Sequence, residues 1–401
     1  MMTRMKRTTV LFGAFDRHNF GDLLFPHVLD ALLPGENIVC AGLAVRDMRP
    51  WGGHRVRAWH ALRDELKGAE VRLLHAGGEL LTCSAWQAAV MLLLPQDAQA
   101  HIAYLTQHPQ EQAAWVRRMT GSSARAPYVI ASRRWPELAS VAFHAVGGVN
   151  LPALSAPMQA EVLASLQSAN HVSVRDQTTQ AHLRVAGLSA ELVPDAAVRV
   201  AELFGTTISQ HATQGEVLRL REALPRGYLA VQFSAAFGDD ATVATLAAQL
   251  DELAASSGLG IVLFRAGAAP WHDDLALLQR VAARMVSPHV RVMESLHLWD
   301  IAALIASSRG YCGSSLHGRI VAMAHALPRV GLALEHAGIG AKQLAFAQTW
   351  EPQEQPGVVC VADLSAAMQL ALALSRSRLA DVANRLGAAH RQGWFTSSWT
   401  A

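Results

Sequence analysis

Along the chain, short runs of apolar and β-branched residues alternate with longer stretches whose apolar positions fall at helical spacing. The runs that predict strands are Thr8 to Phe12, Ile38 to Gly42, Val71 to His75, Tyr128 to Ala131, Val141 to Ala145 and His171 to Val174. A second set begins at Tyr228 to Phe233 and continues with Gly260 to Phe264, Val290 to Met293, Gly310 to Cys312, Val330 to Leu334 and Val358 to Val361. Between them the amphipathic stretches Asp22 to Leu33, Met158 to Ser168, Thr242 to Ala255, Leu275 to Met285 and Leu298 to Ala306 predict helices. Strand alternating with helix predicts parallel sheets covered on both faces. The pattern lapses around Gly205 to Pro225, so the expected architecture is α/β with two Rossmann-like lobes, residues 1–205 and 226–362. An Ala-rich helical tail follows at 363–401, with Leu364 to Gly387 as one long helix or two; no internal repeat of fixed period is visible.

A length of 401 residues sustains two or three domains with sizeable cores. With 51% hydrophobic and 16% charged residues, disorder is excluded. The net charge is only +2 and the basic residues are scattered, which argues against a nucleic-acid partner. Cys40, Cys83, Cys312 and Cys360 are far apart and form no Cys-x-x-Cys pair. Neither a zinc site nor a disulfide framework is expected, and a reducing cytoplasm is the natural compartment. The opening "MMTRMKRTTVLFGAF" imitates a secretory signal, but Asp16 cuts its apolar run short and no small-residue cleavage site follows, so it reads as a first buried strand. The longest apolar run, Ala88 to Leu94, is far below the roughly 18 to 20 residues that cross a bilayer, so no transmembrane segment is expected.

In sheets of this kind ligands bind beyond the carboxyl ends of the strands, in the loops that lead into helices. Four such loops carry chemistry. In "GAFDRHNFGD", Gly13 to Asp22, Asn19 and Asp22 stand at a helix start, where Asp22 is either a functional carboxylate or a cap offsetting the helix dipole. In "HAGGEL", Gly77 and Gly78 admit either a ligand or simply a sharp turn. In "SVRDQTTQAHLRVAG" with "LVPDAA", Arg175, Asp176 and Asp195 emerge at strand ends, as a binding group or as an Arg175–Asp176 ion pair. In "GSSLHGRIVAMAHALP", the apolar positions Ile320, Val321, Met323, Ala324 and Leu327 predict a helix starting near His317 and ending before Pro328. Ser314 and Ser315 then stand at its N-terminus, where free N–H groups favour an anion, and His317 is either functional or a satisfied core histidine.

Taken in order, "NFGD", "HAGGEL", "SVRD", "LVPDAA" and "SSLHGRIVAMAHALP" resemble the polysaccharide pyruvyl transferase family, over roughly Gly13 to Pro328. The resemblance implies a two-lobed fold like that of GT-B glycosyltransferases. It also implies transfer of pyruvate from phosphoenolpyruvate onto two hydroxyls of one sugar, making a cyclic ketal. The donor would sit in the interlobe cleft, held by Arg175 and by the loop around His317, with Ser314, Ser315 and Leu316 as donor-loop residues. Some members have Arg two positions before the histidine where this chain has Ser315; others share the Ser-x-His-Gly form, and Arg319 or the backbone N–H groups would then supply the missing charge.

The chemistry needs an acid for the methylene carbon, a role that suits His317, and a base for the sugar hydroxyl, for which Asp22 is preferred over Asp176. Asn19, Gly77, Gly78, Asp176 and Asp195 would line the acceptor side. No metal and no cofactor beyond phosphoenolpyruvate is expected; the partner is a glycan or lipid-linked saccharide. A peripheral position at the inner membrane face and a homo-oligomer are left open. Two other readings stand beside this one: a GT-B nucleotide-sugar glycosyltransferase, since fold does not fix function, and a non-catalytic glycan-binding relative. Trp86 and Trp271 are either sugar platforms or buried aromatics.

Overall fold

The computed structural model describes residues 7–132, 135, 138–334 and 338–396. The basic residues 1–6 of the signal-like opening and the last residues of the tail, 397–401, lie outside them. The chain divides into two compact units, Met1–Ala196 with Ala389–Ala401, and Ala197–Ala388.

The strands of the first unit are β1 (Thr8–Phe12), β2 (Asn37–Gly42), β3 (Arg46–Asp47), β4 (Arg55–Ala58), β5 (Val71–Ala76), β6 (Leu138–Val146), β7 (His171–Val174) and β8 (Glu191–Leu192). Its helices are α1 (Phe20–Leu32), α2 (Trp59–Glu65), α3 (Ala85–Met91), α4 (Pro95–Gln107), α5 (Pro109–Thr120), α6 (Ala156–Gln167) and α7 (Gln177–Val185). The sheet order is β3-β4-β2-β1-β5-β6-β7-β8. All pairings are parallel except β3 with β4. The central strands β1 and β5 are buried at every position, which is why their sequences are mostly apolar and show no strict alternation.

In the second unit the helices α8 (Val200–His211) and α9 (Gly215–Ala223) precede β9 (Tyr228–Gln232), α10 (Asp240–Ser257), β10 (Gly260–Leu263), α11 (Leu275–Arg284) and β11 (Val290–Val292). There follow α12 (Leu298–Ala306), β12 (Gly310–Gly313), α13 (Leu316–Ala324), β13 (Arg329–Ala333), α14 (Ala341–Trp350), β14 (Val358–Cys360), α15 (Leu364–Leu372) and α16 (Arg376–Thr396). Its sheet is wholly parallel, in the order β11-β10-β9-β12-β13-β14. The core is a continuous apolar cluster from Leu229 and Val231 of β9 to Leu364 and Met368 of α15.

The two parallel-sheet α/β units bear out the expected fold class. Three differences stand against the sequence pattern. The stretch 205–225 is largely the helices α8 and α9, whose few apolar positions face inward. The tail is two helices, one of the two forms expected of it, but its residues from Ala389 on group with the first unit. The expected strand at Tyr128 to Ala131 is a buried segment outside the sheet. Its Ile130 N–H donates to His75 Nε2 at 3.0 Å and its Tyr128 hydroxyl donates to Asp16 Oδ1 at 3.1 Å. Side chains thus meet polar needs that a ladder would otherwise meet.

Candidate active site

The first two loops come together beyond β1 and β5. Asn19 caps α1, its Oδ1 accepting from the N–H groups of Gly21 at 3.0 Å and Asp22 at 3.3 Å. Asp16 holds the loop to the end of β2, accepting from Leu43 N–H at 2.6 Å and Ala44 N–H at 2.9 Å, and burial raises its pKa despite Arg17 and those bonds. Asp22 is nearly buried and lies 3.7 Å from Arg17 Nη2. The Arg17 guanidinium lies over the Tyr128 ring, 5.2 Å from its centroid, donates from Nη1 to the Tyr128 hydroxyl at 3.0 Å, and leaves its buried Nε with no hydrogen-bond partner.

Gly77 and Gly78 have φ of +52° and +69°. A Cβ at Gly77 would stand 2.2 Å from the Phe25 ring, and one at Gly78 would stand 3.1 Å from Asp22 Oδ1, so the two glycines let Asp22 and the β5 turn approach closely. His75 is a core residue: stacked on Phe143 at 3.9 Å and hydrogen-bonded to Ala142 and Ile130, it has its pKa pushed down by burial to about 3.

In the third loop Arg175, expected as a donor-binding residue, sits among carboxylates. Its guanidinium is buried and donates to Glu79 Oε2 at 2.7 Å and to Asp195 Oδ2 at 3.2 Å. Arg175 is therefore the centre of an ion cluster that ties β7 to the β5 turn and to the segment after β8. Asp176 is not its hydrogen-bonded partner; it caps α7, accepting from Thr179 N–H at 2.7 Å and Thr179 Oγ1 at 3.1 Å, and burial raises its pKa. Glu79, which sequence reasoning passed over, also accepts from Val149 N–H at 2.9 Å. The signal was a carboxylate inside "HAGGEL", directly after a strand end.

The fourth loop matches its expected shape. Ser315 caps α13, its Oγ accepting from Gly318 N–H at 3.2 Å. Leu316 is buried and His317, in the first turn, is 9% exposed. Ser314 Oγ accepts from Ser234 N–H at 3.1 Å. The Tyr311 hydroxyl donates to the Ser315 carbonyl at 3.1 Å, and a Cβ at Gly313 or at Gly318 would meet that hydroxyl at 2.5 Å, which accounts for both glycines of "GSSLHG".

Arg319, expected as a source of charge for a donor, is held by a carboxylate within the fold. Fully buried, it donates from Nε and Nη2 to the two oxygens of Glu351, both at 2.9 Å, and from Nη1 to the Gly357 carbonyl at 3.0 Å. Arg329 donates to the same Glu351 Oε2 at 2.9 Å, so one carboxylate clamps two guanidiniums beneath α13.

Among the described residues, His211, His297 and Asp300 offer metal-ligand atoms within 4.8 Å of one another. Asp300 is already engaged at both oxygens, by His211 Nδ1 at 2.6 Å and Ser295 Oγ at 2.6 Å, as one hydrogen-bonded chain. A cavity lined by His101, Tyr104, Trp115 and Arg118, between α4 and α5, contains none of the loop residues. Trp86 is half-buried against Trp115, whereas Trp271 is 46% exposed with φ +66°. No disulfide joins any of the four cysteines, all of them described, and no described helix is long and apolar enough to cross a membrane.

Two α/β units with parallel sheets, each presenting its loops at strand ends, define a GT-B-like protein. Similar folds are a UDP-GlcNAc 2-epimerase from Methanocaldococcus jannaschii (10% identity, 92% of each chain covered, TM-score 0.52) and a trehalose 6-phosphate synthase from Burkholderia multivorans (13% identity, 97% of this chain and 96% of that one, TM-score 0.50). At such identities the likeness concerns the fold alone. Residues 147–336 match the model of the polysaccharide pyruvyl transferase family, which bears out the resemblance carried by the motifs within that stretch. No curated protein matches the chain.

Proposed function

We propose that the protein is a ketal pyruvyltransferase, moving pyruvate from phosphoenolpyruvate onto two hydroxyls of one sugar in a polysaccharide or lipid-linked cell-wall glycan, with no cofactor beyond that donor. Two C–O bonds form at the enol carbon and its bond to the phosphate oxygen breaks. One hydroxyl proton ends on the methylene carbon, which becomes a methyl group, and the other leaves with phosphate. The observation that carries the reading is the family region itself, 147–336, which spans both the Arg175 and His317 loops.

His317 stands in the first turn of α13, where the positive end of the helix favours an anion, and an imidazole there suits delivery of the proton. Asp22 takes the hydroxyl proton. Arg175 and Arg319 are each engaged by carboxylates, whereas Arg17, in the loop that also carries Asp22, keeps a buried Nε with no hydrogen-bond partner and is the cation proposed for the donor.

The test is phosphate release from phosphoenolpyruvate by purified protein across a broad panel of glycan acceptors. Acceptor-dependent release, with a product carrying the pyruvyl group, is expected. Consumption of a nucleotide sugar with no turnover of phosphoenolpyruvate on any acceptor would overturn the proposal in favour of glycosyl transfer.

A further inference from the structure

Behind the His317 loop lies a chain of hydrogen bonds that the motifs do not include. Gln232 ends β9, and its Oε1 accepts from Ser315 N–H at 2.8 Å, with the Tyr311 hydroxyl 3.3 Å away. Its Nε2 donates to both oxygens of Asp273, each at 2.9 Å. Asp273 Oδ2 also accepts from Ala266 N–H at 2.6 Å, which fixes the carboxylate to the loop after β10. An amide side chain has one accepting and one donating end. An ionised carboxylate accepts only, so it draws the Gln232 NH2 towards itself and turns the oxygen towards Ser315.

We propose that Asp273 is a positioning residue for the His317 loop: its ionised carboxylate sets the Gln232 amide, and the amide oxygen fixes the backbone of Ser315, the cap from which His317 is presented. The catalytic consequence rests on the function proposed above; the positioning does not. A protonated Asp273 carries an O–H that needs an acceptor, and Gln232 Oε1 is the group opposite. Serving it takes that oxygen from Ser315. Around Asp273 stand Arg265 and the N–H groups of Ala266 and Gly267, which favour the ionised form, Tyr311 on β12, and the chain neighbours His272 and Asp274. Burial outweighs the favourable groups and pushes the carboxyl up to about 7. The loop is therefore held above neutrality and released below it.

Hydrogen exchange of the 314–318 amides in the full, unliganded chain, corrected for intrinsic rates, tests this directly. One hydrogen bond gained or lost corresponds to roughly a three- to tenfold change in protection, so wild-type protection falls by that factor from about pH 8 to about pH 6. Asp273→Asn, whose NH2 also seeks the Gln232 oxygen, shows the low value at both. The double variant Gln232→Glu with Asp273→Asn restores protection, because the introduced amide donates to the introduced carboxylate, whose other oxygen accepts from Ser315. Flat wild-type protection across that range, wild-type protection in Asp273→Asn at pH 8, or a double variant no better than the single one would each overturn the proposal. In turnover assays the same acid limb appears in kcat; a correct exchange pattern with no pyruvyl transfer would fault the functional reading and leave this one standing.

Discussion

Arg175→Met separates a cation that holds the fold from one that holds a ligand. In the structure the guanidinium lies 2.7 Å from Glu79 Oε2 and 3.2 Å from Asp195 Oδ2, with side-chain exposures of 2%, 12% and 0%. Removing it leaves two carboxylates sharing one buried space with no compensating charge. Breaking a buried ion pair by deleting one partner costs about 3–5 kcal/mol, a large share of the roughly 5–15 kcal/mol that a domain has in total. The expected result is a loss of about 3–5 kcal/mol in urea unfolding followed by circular dichroism, at unchanged slope. Neutralising both carboxylates in the same background, Glu79→Gln with Asp195→Asn, recovers most of that loss, because contacting groups are not additive. Phosphoenolpyruvate affinity by calorimetry provides the second axis. A stability loss under about 1 kcal/mol together with a tenfold or greater loss of donor affinity would refute the structural role and restore Arg175 as the anion ligand.

Three further outcomes follow from the same geometry. In Glu351 burial pushes the pKa up, but Arg319 and Arg329 more than offset it and hold the carboxyl below its ordinary value; its stability is present above the unfolded pKa and lost as pH falls through the folded one. The unfolding free energies of wild type and Glu351→Gln should therefore converge on acidification below about pH 4–5 and stay apart near neutrality, and a constant gap throughout contradicts the clamp. Gly77→Ala forces φ +52° on a residue with a Cβ and drives that carbon to 2.2 Å from the Phe25 ring, so a cost of roughly 2–3 kcal/mol is expected in thermal melts; a wild-type Tm would refute it. His317→Asn should keep donor affinity and lower kcat by roughly a hundredfold to ten-thousandfold, and near wild-type turnover makes the histidine structural.

The strands were legible because a parallel sheet buries both faces, so β1, β5 and β9 are mostly apolar, without strict alternation. The short edge strands β3 and β8 were not, since a two-residue element has no period to read. Tyr128 to Ala131 misled for the opposite reason: it is as apolar as a strand, but His75 and Asp16 answer its polar groups across more than fifty residues of sequence. The Ser315 cap and the start of α13 were legible because capping is local. Gln232, Asp273 and Glu351 were not, since their meaning lies in partners 41, 83 and 32 residues away.

The charged residues of the site loops teach a narrower point. Residue type and position at a strand end locate a site, yet holding a loop and holding a substrate call for the same side chains: a guanidinium that accepts two carboxylates is chemically the one that would accept a phosphate. What separates the two uses is saturation. Arg175 donates to Glu79 and Asp195, and Arg319 to Glu351 and a carbonyl; their positive charge is matched inside the protein before any ligand arrives. Arg17 has no carboxylate within hydrogen-bond distance: Asp22 lies 3.7 Å off, Asp16 acts on it through charge alone, a phenol takes its Nη1, and its Nε is unused. A donor anion that drew on Arg175 would have to break two buried pairs, at a cost of several kcal/mol, whereas one that drew on Arg17 would give a partner to a donor that lacks one. Energetics therefore directs the search for the donor's cation away from the motif "SVRD" and towards the residue that precedes His18 in "GAFDRHNFGD".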